Sequence, residues 1–314
     1  MTEALPDWPT FGLTDDVRPA LRQAREAGEA AALVTIAALD GGGPRPVGTQ
    51  MVVARDILSG FLSGGCVEGD VVFHARACLA DGAPRRLIYG EGSPWPDIRL
   101  LCGARMELLV EPIAADDPAA GRLLEFEAAR QPGVWISDGE RRAFEPPETA
   151  KAWQGAISRR HEPKTRLVVI GGDPTAMAIA ALGAQAEFET TLVRPRGPLE
   201  GPGLPGVAYR RDGPAEALAA IGVDPCTAVA ASSHEAEIDH EALIAALPSP
   251  AFYVGALGAR RRLPERLARL RAAQVHEADI ARLKAPIGLD LGGKAPWEVA
   301  VAVIGEITQA RYKP

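Results

Sequence analysis

Two glycines stand before a cysteine in Ser63-Gly64-Gly65-Cys66-Val67-Glu68-Gly69-Asp70, and the VVFHARACLADG that follows reads as a helix. Glycines at the start of a helix free backbone N–H groups to point at an anion, and the helix dipole adds to the attraction. A thiol at the same place is drawn toward thiolate, a soft ligand suited to transition-metal or sulfur chemistry. Gly64, Gly65, Cys66 and Glu68 are therefore candidates for binding an anionic cofactor, with Cys66 the candidate thiol and the candidate metal contact. Two carboxylates, Glu68 and Asp70, oppose an anion there. The competing reading is a packed turn whose acids complement the helix dipole. Cys102, in Leu101-Cys102-Gly103, is the second candidate thiol; Cys78 reads as helix core and Cys226, beside Pro225, as structural. No CxxC pair and no HxxxH spacing occurs, which argues against a structural zinc site.

The other candidates lie in glycine-rich loops. Arg45, in Gly41-Gly42-Gly43-Pro44-Arg45-Pro46-Val47-Gly48, has the fork geometry for a phosphate. Gly171 and Gly172 open a strand-to-helix turn, Gly171-Gly172-Asp173-Pro174-Thr175-Ala176. A dinucleotide turn wants glycine where Asp173 stands, since the pyrophosphate must approach the backbone there. Arg194 replaces the acid expected about 20 residues on to hold a ribose. NAD or NADP binding is disfavoured on both counts. Gly255-Ala256-Leu257-Gly258-Ala259-Arg260-Arg261-Arg262 and Ser232-Ser233-His234 each follow an apolar strand. Strand C-terminal ends are where open α/β sheets bind ligands, so Gly255, Gly258, Arg260, Arg261 and His234 join the candidates. Asp290, in Pro286-Ile287-Gly288-Leu289-Asp290-Leu291-Gly292-Gly293, lies in the loop before the last helix and is a candidate for closing the site.

The elements around these residues fall into two patterns. Residues 1–145 alternate short strands and helices, an α+β reading. A helix around Val17, Leu21 and Ala24 precedes a β run at Ala31–Ile36; Met51–Ala54 and Ile57–Leu62 pair; the helix after Cys66 stops at Gly82; strands follow at Arg86–Tyr89 and Met106–Val110; and Asp117-Pro118 opens another helix. Residues 146–164 mix prolines and charges and read as a linker. From 165 the pattern becomes a Rossmann-like, doubly wound parallel sheet to residue 314. Its continuous apolar strands are Leu167–Ile170, Thr190–Val193, Thr227–Ala231 and Phe252–Val254, with helices between.

The 314 residues suffice for two domains, and 47% hydrophobic with 24% charged residues is a soluble globular profile. A net charge of −7 gives no support to nucleic-acid binding. No apolar run reaches the roughly 18 residues of a membrane span, and the acidic N-terminal stretch lacks a signal pattern. A cytoplasmic protein is expected.

The segments LVTIAALDGGGPRPVGTQMVV, GFLSGGCVEGDVVFHARACLADG, LLCGARMELLVEP, SSHEAEIDHEALIAAL, FYVGALGARRRLPERL and APIGLDLGGKAPWEVAVAVIGEITQARY, in this order, resemble the XdhC/CoxI family of molybdoenzyme maturation factors. The resemblance runs from about residue 17 to 312. It implies a chaperone more than a catalyst. Such a protein binds molybdenum cofactor, as molybdopterin or its cytosine dinucleotide, protects it, presents it to a cysteine desulfurase for sulfuration, and inserts it into the large subunit of a xanthine dehydrogenase or aldehyde oxidoreductase type of enzyme. A molybdenum cofactor cytidylyltransferase and a second copy of the chain are further partners it implies. Asp173, Pro174, Arg194 and Ala104 depart from the family pattern. Two alternatives stay open at this level: an NADP-dependent oxidoreductase built on the second half, and an adaptor that docks to a molybdoenzyme without holding cofactor.

Overall fold

The computed structural model describes residues 5–43, 45–93, 103 and 105–312. The chain divides into two compact units, Met1–Pro163 and Lys164–Pro314.

In the first unit, helix α1 (Arg18–Glu26) leads into β1 (Ala31–Asp40), β2 (Gln50–Val53) and β3 (Leu58–Gly60). Helix α2 (Glu68–Asp81), β4 (Arg85–Tyr89), β5 (Arg105–Ile113) and α3 (Pro118–Ala128) follow. The five strands form an antiparallel sheet in the order β3-β2-β1-β5-β4. Successive side chains of a strand point to opposite faces, and β1 is buried on both. Ala32, Val34 and Ile36 pack with Val71, Ala75 and Cys78 of α2, while Ala31 and Leu33 pack with Leu21 and Ala24 of α1 and with Leu123 of α3. Helix α2 ends where Gly82 takes a left-handed conformation at φ 71°. Asp117 caps α3, its carboxylate accepting from Ala120 N at 2.9 Å.

A second, three-stranded antiparallel sheet closes this unit: β6 (Gly133–Ser137), β7 (Arg142–Glu145) and β8 (Ile157–His161), in the order β7-β6-β8. The span 146–164 therefore holds a strand where the sequence reads as linker. Ile-Ser-Arg-Arg-His hides the strand because an edge position leaves Ser158 and Arg160 in solvent and only His161 fully buried.

The second unit runs β9 (Arg166–Ile170), α4 (Pro174–Gln185), β10 (Glu189–Val193), β11 (Val207–Arg210), α5 (Pro214–Ile221), β12 (Thr227–Ala231) and α6 (Ala236–Ala246). It ends with β13 (Tyr253–Ala256), α7 (Leu263–Ala272), α8 (Glu277–Ile280), β14 (Leu283–Lys284) and α9 (Pro296–Tyr312). The six strands are parallel in the order β11-β10-β9-β12-β13-β14. Both faces are covered, as the unbroken apolar strands require. Val168, Ile170, Val229 and Ala231 meet α5 and α6, whereas Leu167, Val169, Ala228 and Ala230 meet α4 and α9. The order reverses between β9 and β12, so the loops after these strands diverge and leave a crevice at their C-terminal ends. Among the described residues, no helix is long and apolar enough to cross a membrane.

Candidate functional site

The Gly64-Gly65-Cys66 turn is filled from within. The Glu68 side chain is 0% exposed and folds back beneath the turn. Its Oε1 accepts from Leu62 N at 3.0 Å and Ser63 N at 2.7 Å; its Oε2 accepts from Ser63 Oγ at 2.7 Å, Gly65 N at 3.0 Å and Val67 N at 3.3 Å. Amides that could have faced an outside anion are thus engaged by the chain's own carboxylate, and Glu68 is a strut of the turn instead of a cofactor contact. Gly64 (φ 98°) and Gly65 (φ 95°) need glycine for their backbone, and a side chain at either would point into open space. The result is an exposed tip that offers the Cys66 thiol to solvent. Asp70 is buried and accepts from Tyr89 Oη at 2.6 Å, which tethers α2 to β4. Burial, reinforced by Asp70, pushes the Tyr89 phenol far above its ordinary range, so it stays a donor. Cys78 is buried in the core, where burial raises its thiol. Cys102 lies outside the described residues. Among those described, no cluster of three His, Cys, Asp or Glu side chains could hold a metal ion.

Arg45 is not a free loop charge, because it forms an ion pair with Asp15. The same loop ends at Gly48, whose carbonyl accepts from Arg159 Nη1.

In the second unit, the glycine turn after β9 meets the loop after β12. Asp173 caps α4, with Oδ1 accepting from Ala176 N at 2.8 Å, and its Oδ2 lies 2.7 Å from His234 Nε2. The place at the helix N-terminus where a Rossmann turn receives pyrophosphate is therefore filled by a carboxylate. A Cβ at Gly171 would lie 2.4 Å from Ser232 O, and one at Gly172 would lie 2.4 Å from Arg194 Cδ. Both glycines serve close packing of the turn against its neighbours, and Arg194 covers the outer face.

A cavity of about 580 Å³ opens beside this turn, at the C-terminal ends of β12 and β13. Ser233 and His234 line it from the first strand end, Gly258 and Arg261 from the second, and Arg262, Arg266 and Arg269 from α7 and the turn before it. Asp239 and His240 of α6 form the facing wall. Arg266 is braced: Nη2 reaches Asp239 Oδ2 at 3.3 Å and donates to Leu257 O at 3.1 Å. Burial raises Asp239 against the opposing pull of the Ser233 N–H and Arg266. Burial and then Arg269 lower His240, which favours a neutral ring. Arginines outnumber acids along this wall, so the cavity is suited to a multiply charged anion of nucleotide size.

The candidates divide on this geometry. His234, Gly258 and Arg261 share the cavity. Arg260 and Asp290 are brought together elsewhere on the surface, an exposed pair at 3.3 Å. Gly255 is a correction: it is buried within β13, where a Cβ would come 2.6 Å from Ile287 Cγ1, so it makes room for packing and faces no ligand. The sequence reading missed Arg262, Arg266, Arg269 and His240. Their signal was there in the helical spacing of Arg262, Arg266 and Arg269, which puts three guanidinium groups on one face.

Comparison with known proteins agrees with this architecture. The XdhC Rossmann domain model matches residues 167–307, and the XdhC and CoxI family model matches residues 24–90. The molybdenum cofactor insertion chaperone PaoD of Escherichia coli K12 is 32% identical over 95% of this chain and 90% of its own length. A protein of Bacillus subtilis 168 described as a probable xanthine dehydrogenase subunit is 24% identical over 91% of this chain and 94% of its own. A solved structure described as a xanthine dehydrogenase from Bacillus halodurans superposes with a TM-score of 0.79 over 96% of this chain and 97% of that one, at 21% identity, and so shares the fold. The two family models, matched in the antiparallel and the parallel unit, and the relative that is 32% identical over 95% of the chain make this chain a member of the XdhC/CoxI family.

Proposed function

We propose that this chain is a molybdenum cofactor insertion chaperone, which carries the cofactor as cargo, protects it, supports its sulfuration and delivers it to a xanthine dehydrogenase or aldehyde oxidoreductase type of molybdoenzyme. The observation that carries this reading is the arginine-lined cavity after β12 and β13. Its donor set fits the phosphate end of a pterin cofactor: guanidinium groups of Arg261, Arg262, Arg266 and Arg269 with Ser233 and His234 at the rim. Arg261 and Arg262 are exposed, so they can turn toward an incoming anion. The cargo's form, molybdopterin or its cytosine dinucleotide, is set by how much of the cavity it fills. The Asp173–His234 pair supports a site that excludes NAD(P), because a phosphate at that helix end would have to displace a carboxylate. The partners of this reading are the large subunit of the molybdoenzyme, a cysteine desulfurase and a cytidylyltransferase, in the cytoplasm, with a homodimer as the assembly. The exposed tip at Cys66 is the thiol available to sulfuration chemistry.

The test is anaerobic purification from cells that make molybdenum cofactor, followed by oxidation to the fluorescent pterin and molybdenum determination by mass spectrometry. Stoichiometric pterin that is lost in Arg261→Ala/Arg262→Ala is expected. Pterin-free protein, where a control carrier loads in the same cells, would overturn the carrier reading in favour of an adaptor.

A further inference from the structure

The first unit holds a group of cations that the reading above does not use. Arg18 is satisfied: its guanidinium meets Asp16 through Nε at 2.7 Å and Nη2 at 2.8 Å, and Nη1 donates to Glu162 O at 3.0 Å. Arg45 has Asp15. Arg159, on β8, has no carboxylate partner among the described residues; its Nη1 donates to the backbone carbonyl of Gly48, and its Nε is buried without any partner. The Nε atoms of Arg159 and Arg45 and the Nε2 of His161 are all buried and unsatisfied. His161 is itself 7% exposed. A buried cation without a counter-charge is costly, and so is a buried donor without an acceptor. Two buried guanidinium N–H groups and one buried ring nitrogen left unpaired in the first unit ask for an acceptor.

We propose that Arg159, together with Arg45 and His161, holds a compact oxyanion of the phosphate class in the first unit, beside Gly48. An oxyanion has several lone pairs and can take N–H donors from two forks at once. Burial presses the Arg159 guanidinium down to about 10 against the pull of Asp16, with the positive charges of Arg18 and Arg45 adding to the burial, the direction a further anion would reverse. His161 stays neutral under burial and the same cations, so it can add a donor without adding charge. This site shares no residue with the arginine-lined cavity of the second unit, and it stands whether or not that cavity carries a pterin.

The experiment is thermal unfolding of the full chain, with the second-unit cavity disarmed by Arg261→Ala/Arg262→Ala, in sodium chloride and in inorganic phosphate at matched ionic strength. Phosphate is expected to raise Tm by about 5 °C when it reaches roughly a hundredfold over Kd. Arg159→Met is expected to abolish that rise while its Tm in chloride equals or exceeds the parent's, since an uncompensated charge has been removed. Should Arg159→Met fail to fold, Arg45→Met serves the same comparison. Phenyl phosphate separates two sources of the group: a response equal to that of phosphate indicates an anion borne on a larger molecule, whereas a response to phosphate alone indicates a free ion. No phosphate-specific rise, or a rise that survives both Arg159→Met and Arg45→Met, would overturn the proposal.

Discussion

The carboxylate of Asp173 and the imidazole of His234 meet at 2.7 Å across the point where the strand order of the second unit reverses. Each comes from a loop at a strand's C-terminal end, the position from which a parallel sheet addresses its ligand. One oxygen of Asp173 caps α4 and the other faces His234. The helix end is thus satisfied by the chain, and the cavity's guanidinium groups lie one loop further along, after β13.

Replacing Asp173 separates its two contacts. Asp173→Ala is expected to lower stability by about 1 kcal/mol through loss of the cap. Asp173→Asn keeps a capping oxygen and gives up only the ion pair with a histidine whose side chain is 73% exposed; its cost is expected to stay within about 0.5 kcal/mol. Urea midpoints of the two variants decide. Equal losses would mean the ion pair, not the cap, holds the turn.

Glu68 is the more sensitive position. Five donors converge on its carboxylate. Glu68→Gln puts an NH2 group among N–H and O–H donors and leaves some of them unpaired in a buried place. The expected cost is about 2–4 kcal/mol. Ser63→Ala removes one hydroxyl that also accepts from Cys66 N and Val67 N at 3.1 Å each, with an expected loss of about 1–2 kcal/mol. Denaturant unfolding of both variants checks the order; a Glu68→Gln protein as stable as the parent would show that the turn does not depend on this carboxylate.

How far the sequence could be read depended on how local the determinants were. The continuous apolar strands of the second unit, and the Gly82 stop of α2, are written in runs of adjacent residues and were legible. The β6-β7-β8 sheet was not, because β8 pairs with β6 across the intervening β7 and exposes alternate polar residues. The SGGCVEG turn was legible as a special backbone, since two adjacent glycines preceding a helix need a reason. Its inner acceptor was not, because five donors reach Glu68 only once the chain has turned through it. Arg159 carried no local signal at all: it reads as one more charge in a polar stretch until the loop ending at Gly48 covers it.

Cys66 and Cys78 should differ sharply in reactivity. Cys66 sits on an exposed tip, while Cys78 is buried with its thiol raised by burial. Thiol exchange requires both access and thiolate. Titration of the native protein with an aromatic disulfide is expected to lose its fastest phase in Cys66→Ala, with no change in urea midpoint, and to be unaltered in Cys78→Ala until the protein unfolds. A fast phase that persists in Cys66→Ala would place the reactive thiol elsewhere.

His161 makes a pH-dependent contribution whose sign is fixed. Burial first, then Arg159 and Arg18, push its pKa down to about 3 from an ordinary 6.5. Between those values the unfolded chain binds a proton that the folded chain refuses, so stability falls as pH drops below about 6.5. At pH 5 the loss attributable to this ring is about 2 kcal/mol. In phosphate-free buffer, His161→Asn is expected to flatten the difference in unfolding free energy between pH 7 and pH 5 by that amount. An unchanged difference would mean that the ring titrates normally in the folded protein.

The cavity arginines divide into braced and unbraced groups, and the division predicts how variants load. Arg266 holds Asp239 and the Leu257 carbonyl, so Arg266→Ala removes a ligand donor and also frees a buried carboxylate to repel the cargo. Arg261 and Arg262 line the same space from an exposed position, and their loss removes attraction alone. A single charge-assisted contact is worth about 1.5–3 kcal/mol, or roughly 10- to 100-fold in affinity. Arg262→Ala is expected to weaken cargo retention within that range at unchanged stability. Arg266→Ala is expected to weaken it further and to lower the urea midpoint. Arg266→Ala/Asp239→Asn, which removes the freed charge together with its partner, should recover part of the loss. Pterin content after dialysis at low and at high salt measures all three. Equal retention across the set would place the cargo's phosphate outside this cavity.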